Sequence, residues 1–248
     1  MIEQRATTEQ TSVKALVRGA EKMFENAERL FFEAEALAKG GAIARPLFLH
    51  QISLEECSKI NTLGAWAVSL LVGLDINQKK VLAAFGRHES KNKYNAYMLE
   101  QGHAEKEAIA RGDWKAALEA FKQTQDEFHR ASNQAKNGAL YVDWADGEFV
   151  SPGERITDAM LADIRDRNAT FLGYASNEIK MFRRLEQTPD VMRELLAGFV
   201  EKAEKLREEK PDDLISSMDT LLAGFFEEGK RKLAKQDDTR AEARPSEG

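Results

Sequence analysis

From Ser12 onward, apolar residues recur at spacings of three and four: Val13, Leu16, Val17, Ala20, Phe24, Ala27, Leu30, Phe31, Ala34 and Leu37. That is the stripe of an amphipathic helix, and Gly40-Gly41 ends it. The next segment differs. Between about Ile43 and Leu74, residues such as Leu47, Phe48, Leu49, Ile52, Leu54, Ile60, Leu63 and Trp66 leave almost no polar face. A helix apolar on nearly every side is a buried helix, so this segment is expected to be the hub of the fold, joined to the first helix as an αα-hairpin.

The pattern then predicts a third helix from Asn77 to about Leu99, broken by Gly102, and a long helix from Trp114 to about Leu140, capped by Asp113. The inner row of that long helix reads Ala117, Phe121, Phe128, Ala131 and Ala135. At residues 141–150 the periodicity changes to two short β-prone pieces around Asp146-Gly147, a strong hairpin signal. Thr157 caps a further helix over Asp158 to about Leu185, and Pro189 and Pro211 start two more, ending near Lys235. The expected architecture is all-α, a helical bundle with a small β-hairpin insertion near residues 141–150. Residues 12–186 form its main domain, 187–235 a C-terminal helical extension packed on it, and 236–248 a disordered tail.

Composition agrees with this. Hydrophobic residues make up 42% and charged residues 31% of 248 positions, with five prolines, which suits a helical globular chain long enough to bury a core. The formal charge of -6 lacks the overall field that draws a protein to nucleic acid or anionic lipid, although a local basic site is compatible with it. Cys57 is the single cysteine, so no intrachain disulfide and no cysteine-based zinc site can form. The polar start, Met1 to Thr11, has no apolar core of a signal peptide, and the longest uncharged run, Ile60 to Leu74, is too short to span a bilayer. A cytoplasmic protein with no membrane partner is expected.

The chemistry concentrates in the hub. Glu55 interrupts the row Phe48, Ile52, Lys59, Leu63 and Trp66, and Glu56 interrupts Leu49, Ile60 and Leu63. A buried ionised carboxylate must be paired or hydrogen-bonded. Either Glu55 and Lys59, one turn apart, satisfy each other, or the polar island lines a cleft where carboxylates and a lysine do acid–base or electrostatic work. His50 lies on the row of Leu47, Leu54 and Cys57 and reads as a packed residue. His88 and Lys91 share a face, as a solvated basic patch or as a site facing phosphate or RNA. Glu100-x-x-His103 and Asp126-x-x-His129 echo di-iron spacing, but Gly102 interrupts the first and His129 sits off its helix's inner row. No phosphate loop or serine elbow occurs, so neither a metal nor a cofactor is implied.

Taken in order, Asn26-Ala27, Leu30, Ala34 and Leu37, then Leu47, Leu54-Glu55-Glu56 and Lys59, then Phe85-x-x-His88-x-x-Lys91, then Lys136, Leu140-Tyr141-Val142-Asp143, Gly147 and Pro152, resemble the AbiV family of bacterial abortive-infection proteins. The likeness spans roughly residues 13–186. It implies an all-α fold of the HEPN class and a role in phage defence in which the infected cell shuts down. It also implies a homodimer with a shared cleft and metal-independent RNA cleavage, in which a histidine moves the proton of the ribose 2′-hydroxyl and an arginine balances phosphate charge. Where the class carries Arg, four to six residues, then His, this chain carries Lys136-x-x-x-x-Tyr141; the Arg-to-His spacing itself occurs at Arg45 and His50.

On the enzyme reading His88 is the acid–base residue, Lys91 and Lys136 bind phosphate, and Glu55, Glu56 and Tyr141 orient them, with Lys59 and Asp143 in support. On a binding reading, the protein senses a phage-encoded activator and blocks translation by contact, with Trp144 and Phe149 of the hairpin as a contact element. Against that stands the simpler expectation that those two rings cap the core. A helical scaffold without chemistry is the third possibility.

Overall fold

Residues 12–74, 76–85, 101–209, 221, 223–232 and 234 are described by the computed structural model. The end of the predicted third helix, with His88 and Lys91, lies outside the described residues, as does Pro211.

Helix α1 covers Val13–Lys39, and the Ser12 side chain caps it by accepting from the Ala15 amide at 3.2 Å. The chain reverses through Gly41 at φ 85°, a conformation glycine adopts without steric cost. Helix α2, Ala44–Leu71, follows and is the most buried element. Its Leu54 and Ile60 are fully enclosed. Helix α3 is Gln78–Phe85, α4 is His103–Ala110, and α5 is Trp114–Gly138, capped by Asp113. Strands β1, Asp143–Ala145, and β2, Glu148–Val150, form an antiparallel ribbon in which Trp144 stands opposite Phe149. Asp146 and Gly147 both have positive φ, which matches the twist of a two-residue hairpin turn. The short α6, Pro152–Arg155, leads to α7, Asp158–Gln187, and α8, Pro189–Glu209.

The architecture is all-α with one two-stranded ribbon among the described residues. Helices α1, α2 and α7 pack mutually, α5 closes on α2, and α8 packs on α2 and α7. Two apolar clusters result. One joins α1, α2, α7 and α8 around Ala20, Ile60, Trp66, Phe182 and Leu195. The other joins α2, the end of α5, Ile156 and α7 around Leu47, Leu54, Ala139 and Phe171. No helix among the described residues is long and apolar enough to cross a membrane.

The inner row of α5 differs from the sequence expectation. Ala131 is exposed, and the buried positions are Ala117, Phe128, Ser132, Lys136 and Gly138. A serine and a lysine look like solvent-facing residues in a local pattern, yet here they occupy the helix face that meets α2.

Candidate functional site

Residues one helical turn apart share a face, so Gln51, Glu55 and Ser58 run together along α2, and Ser132 and Lys136 run together along α5. Where these faces meet, Lys136 Nζ donates to Glu55 Oε1 at 2.9 Å, across 81 residues of sequence. The Glu55 and Lys136 side chains are 2% and 8% exposed, so water screens the pair little. Ser58 turns inward and donates to the Glu55 backbone carbonyl at 2.8 Å.

The expected Glu55–Lys59 pair is not formed. Lys59 instead pairs with Glu56, one turn along the same helix and half-buried. The two adjacent glutamates therefore divide: Glu55 crosslinks α2 to α5, and Glu56 is satisfied locally. Tyr141 and Asp143 lie outside this polar core. The Tyr141 side chain is largely exposed, and Asp143 reaches the Arg155 guanidinium at 3.5 Å. Arg155 in turn lies over Gly138, where a Cβ would come within 2.6 Å of its Cδ. The absent side chain at Gly138 is what lets Arg155 cross the end of α5 toward the ribbon.

A second buried polar network surrounds His50, which is fully enclosed. The Asn168 amide donates to His50 Nδ1 at 3.1 Å, an arrangement that places the ring proton on Nε2. That nitrogen faces Glu35 Oε1 at 3.6 Å, and Arg165 Nε approaches the same carboxylate at 3.1 Å. Ser53 Oγ donates to the Ala27 carbonyl at 2.7 Å and lies 3.1 Å from Asn168 Oδ1. Burial holds the imidazole below its ordinary value, against the opposing pull of Glu35. With no exposed edge, the His50 of the Arg45-to-His50 spacing acts as a strut tying α2 to α7, in line with its place on an apolar row. Glu35, Arg165 and Asn168 were not marked by the sequence pattern. Asn168, a polar residue among the buried positions of α7, was the available signal.

The third ionisable cluster lies on the other side of α2. Burial pushes the Cys57 thiol up to about 12, with Glu178 and Glu56 adding to the effect, so this cysteine is an inert core residue. Burial also pushes Glu178 up to about 7 from 4.5. Asn61, with its amide nitrogen turned toward Glu178, donates to that carboxylate and opposes the shift. A raised carboxyl in the folded chain means an extra bound proton between the two values, so stability falls as pH rises through that window. His50 acts in the opposite sense, removing stability as pH falls below 6.5. Below pH 6.5 the two effects oppose each other, so the urea midpoint is expected to decline mainly between 6.5 and about pH 8, and Glu178→Gln to flatten that decline. An unchanged slope in the variant would show that Glu178 is not its source.

The all-α bundle with its small inserted ribbon is consistent with the HEPN class, to which the family match assigns it. The chain belongs to the AbiV family: the HEPN family model for AbiV matches residues 15–173. Uncharacterized protein y4gJ of Sinorhizobium fredii (strain NBRC 101917 / NGR234) is 58% identical over 112 residues, covering 45% of this chain and 58% of that protein. The chain thus spans little more than half the length of that curated relative. No solved structure matches.

Proposed function

We propose that this protein is an abortive-infection phage-defence effector that acts by contact, gripping a phage-encoded protein with its aromatic ribbon and blocking translation. The observation that supports this reading is the surface of the ribbon. Trp144 is 59% and Phe149 73% exposed, and their rings meet edge to face at 4.9 Å. They do not cap the core. Tyr141 and Val142, just before β1, are exposed as well. Rigid, solvent-facing aromatic rings are the residues that most often dominate binding energy at an interface. Lys136, by contrast, is held by Glu55, so its charge is already committed within the bundle.

Capture from phage-infected cells tests the reading. The wild-type chain is expected to retain a phage-encoded protein, and Trp144→Ala to lose at least about ten-fold of that capture, as a hot-spot truncation does. Undiminished capture by the variant removes the ribbon from the account.

Membership of a HEPN family favours a second reading, a metal-independent ribonuclease acting as a homodimer. In it His88 moves the proton and Lys91 binds phosphate. Glu55, Glu56, Tyr141, Lys59 and Asp143 support them, and Lys136 exchanges Glu55 for the RNA backbone. Loss of toxicity together with intact RNA in His88→Ala, against cleaved RNA with the wild-type chain, would favour this reading over the first.

A further inference from the structure

His50 and Asn168 are both 0% exposed, and three helices meet around them. From α7, the Asn168 amide reaches His50 Nδ1 at 3.1 Å. From α1, Glu35 Oε1 faces Nε2 at 3.6 Å, a distance at which Nε2 makes no hydrogen bond, and the Phe31 ring stands edge to face with the imidazole at 5.0 Å. Beyond Asn168, Ser53 of α2 joins the amide to the Ala27 carbonyl of α1. The charged groups that face the ring are Glu35 from α1, which favours its charging, and Arg165 from α7, which opposes it and shares the Glu35 oxygen at 3.1 Å.

With a neutral imidazole this network is one proton short. The neutral ring carries a single N–H. When that proton is on Nε2 it points at Glu35, and Asn168 must turn its amino group toward Nδ1. The amide oxygen then faces Ser53 Oγ at 3.1 Å, while the one Ser53 proton goes to the nearer Ala27 carbonyl at 2.7 Å. Two oxygens are left facing each other lone pair to lone pair. When the ring proton is on Nδ1, the amide can turn over: Oδ1 accepts from Nδ1, Nδ2 donates to Ser53 Oγ, and Ser53 donates to Ala27. Nε2 is then a bare acceptor opposite a carboxylate. An imidazolium, with both nitrogens protonated, supplies every partner at once. We propose that His50, Asn168 and Ser53 form a proton-operated switch. Uptake of one solvent proton by His50 turns the Asn168 amide over and links α7, α2 and α1 in one unbroken run of hydrogen bonds, with Glu35 as counter-ion. The backbone can stay in place, because the amide oxygen and nitrogen simply exchange positions. Burial opposes the charge, so the switch operates below 6.5. It lies in the core of the bundle and is independent of the ribbon reading.

Magnetic resonance of the full chain, with nitrogen-15 in the histidine rings and asparagine amides, tests it from about pH 8 to about pH 4. At the upper end His50 is expected to show an unprotonated Nδ1 and a protonated Nε2. As pH falls, Nδ1 is expected to gain its proton below 6.5 while circular dichroism still reports a folded chain, and the Asn168 amide signals to move with the same midpoint. Asn168→Asp, whose carboxylate can only accept, is expected to raise the His50 midpoint by about one pH unit or more. Glu35→Gln, at a partly exposed position, is expected to lower it by about one unit. A His50 that stays neutral until the chain unfolds overturns the proposal, as does protonation that leaves the Asn168 signals unmoved. An unshifted midpoint in Glu35→Gln removes the counter-ion and overturns it as well.

Discussion

Replacing Lys136 by methionine is expected to destabilise the fold by about 3–5 kcal/mol, the cost of breaking a buried ion pair from one side. Methionine keeps most of the lysine stem, so the loss reports the ammonium and not the packing. Glu55 is 1% exposed on the hub helix, where water cannot replace the cation. Since whole domains are stable by only about 5–15 kcal/mol, the single variant should unfold at much lower urea. The double variant Glu55→Leu/Lys136→Met should recover most of that loss, because an apolar pair of similar volume is commonly as stable as a buried ion pair. A double-mutant cycle by urea unfolding measures the coupling. A loss below about 1 kcal/mol in Lys136→Met would mean that the pair is solvated and that α5 does not close on α2 as described.

The second large effect concerns the contact between α2 and α7. Phe182 is buried in the first core cluster, and its ring lies against Gly64, where an added Cβ would sit 3.2 Å from Cζ. The missing side chain at Gly64 lets the ring reach the backbone of α2. Phe182→Ala is expected to cost about 3–5 kcal/mol through lost transfer energy and the cavity left behind. Gly64→Val alone is expected to cost about 1–3 kcal/mol by overpacking against the same ring. Together the two should cost less than their sum, because valine enters the space that phenylalanine leaves. Strict additivity in the melting or urea data would indicate that the two residues do not touch.

Much of the bundle was legible in the chain. The stripe of α1, the near-total apolarity of α2 and the Asp146-Gly147 turn each follow from local periodicity or backbone preference, and each element appears where its pattern lies. The polar core was less legible, for a physical reason. Local spacing reports neighbours one turn away, so it offered Lys59 as the partner of Glu55. The partner found is Lys136, 81 residues on, on a helix whose buried row includes a serine and a lysine. A lysine at 6% exposure has no signature of its own in sequence, because its burial is set by the carboxylate it meets. The same holds for Gln51, which is unremarked in the pattern of α2 yet is buried where the helices meet. His50 was easier, since an imidazole on an apolar row reads as packed, but its dependence on Asn168, 118 residues away, could only be seen in three dimensions.

If the exposed ribbon is how this protein works, phage protection and RNA cleavage should come apart. The most direct measurement is RNA sequencing of phage-challenged cells expressing the wild-type chain or Trp144→Ser/Phe149→Ser, with plaque counts taken in parallel and the purified variant melting as the wild type does. The account predicts that wild-type cells resist phage with their RNA uncut and that the ribbon variant loses resistance. Cleavage at defined RNA sites, with full resistance retained by the ribbon variant, would contradict it.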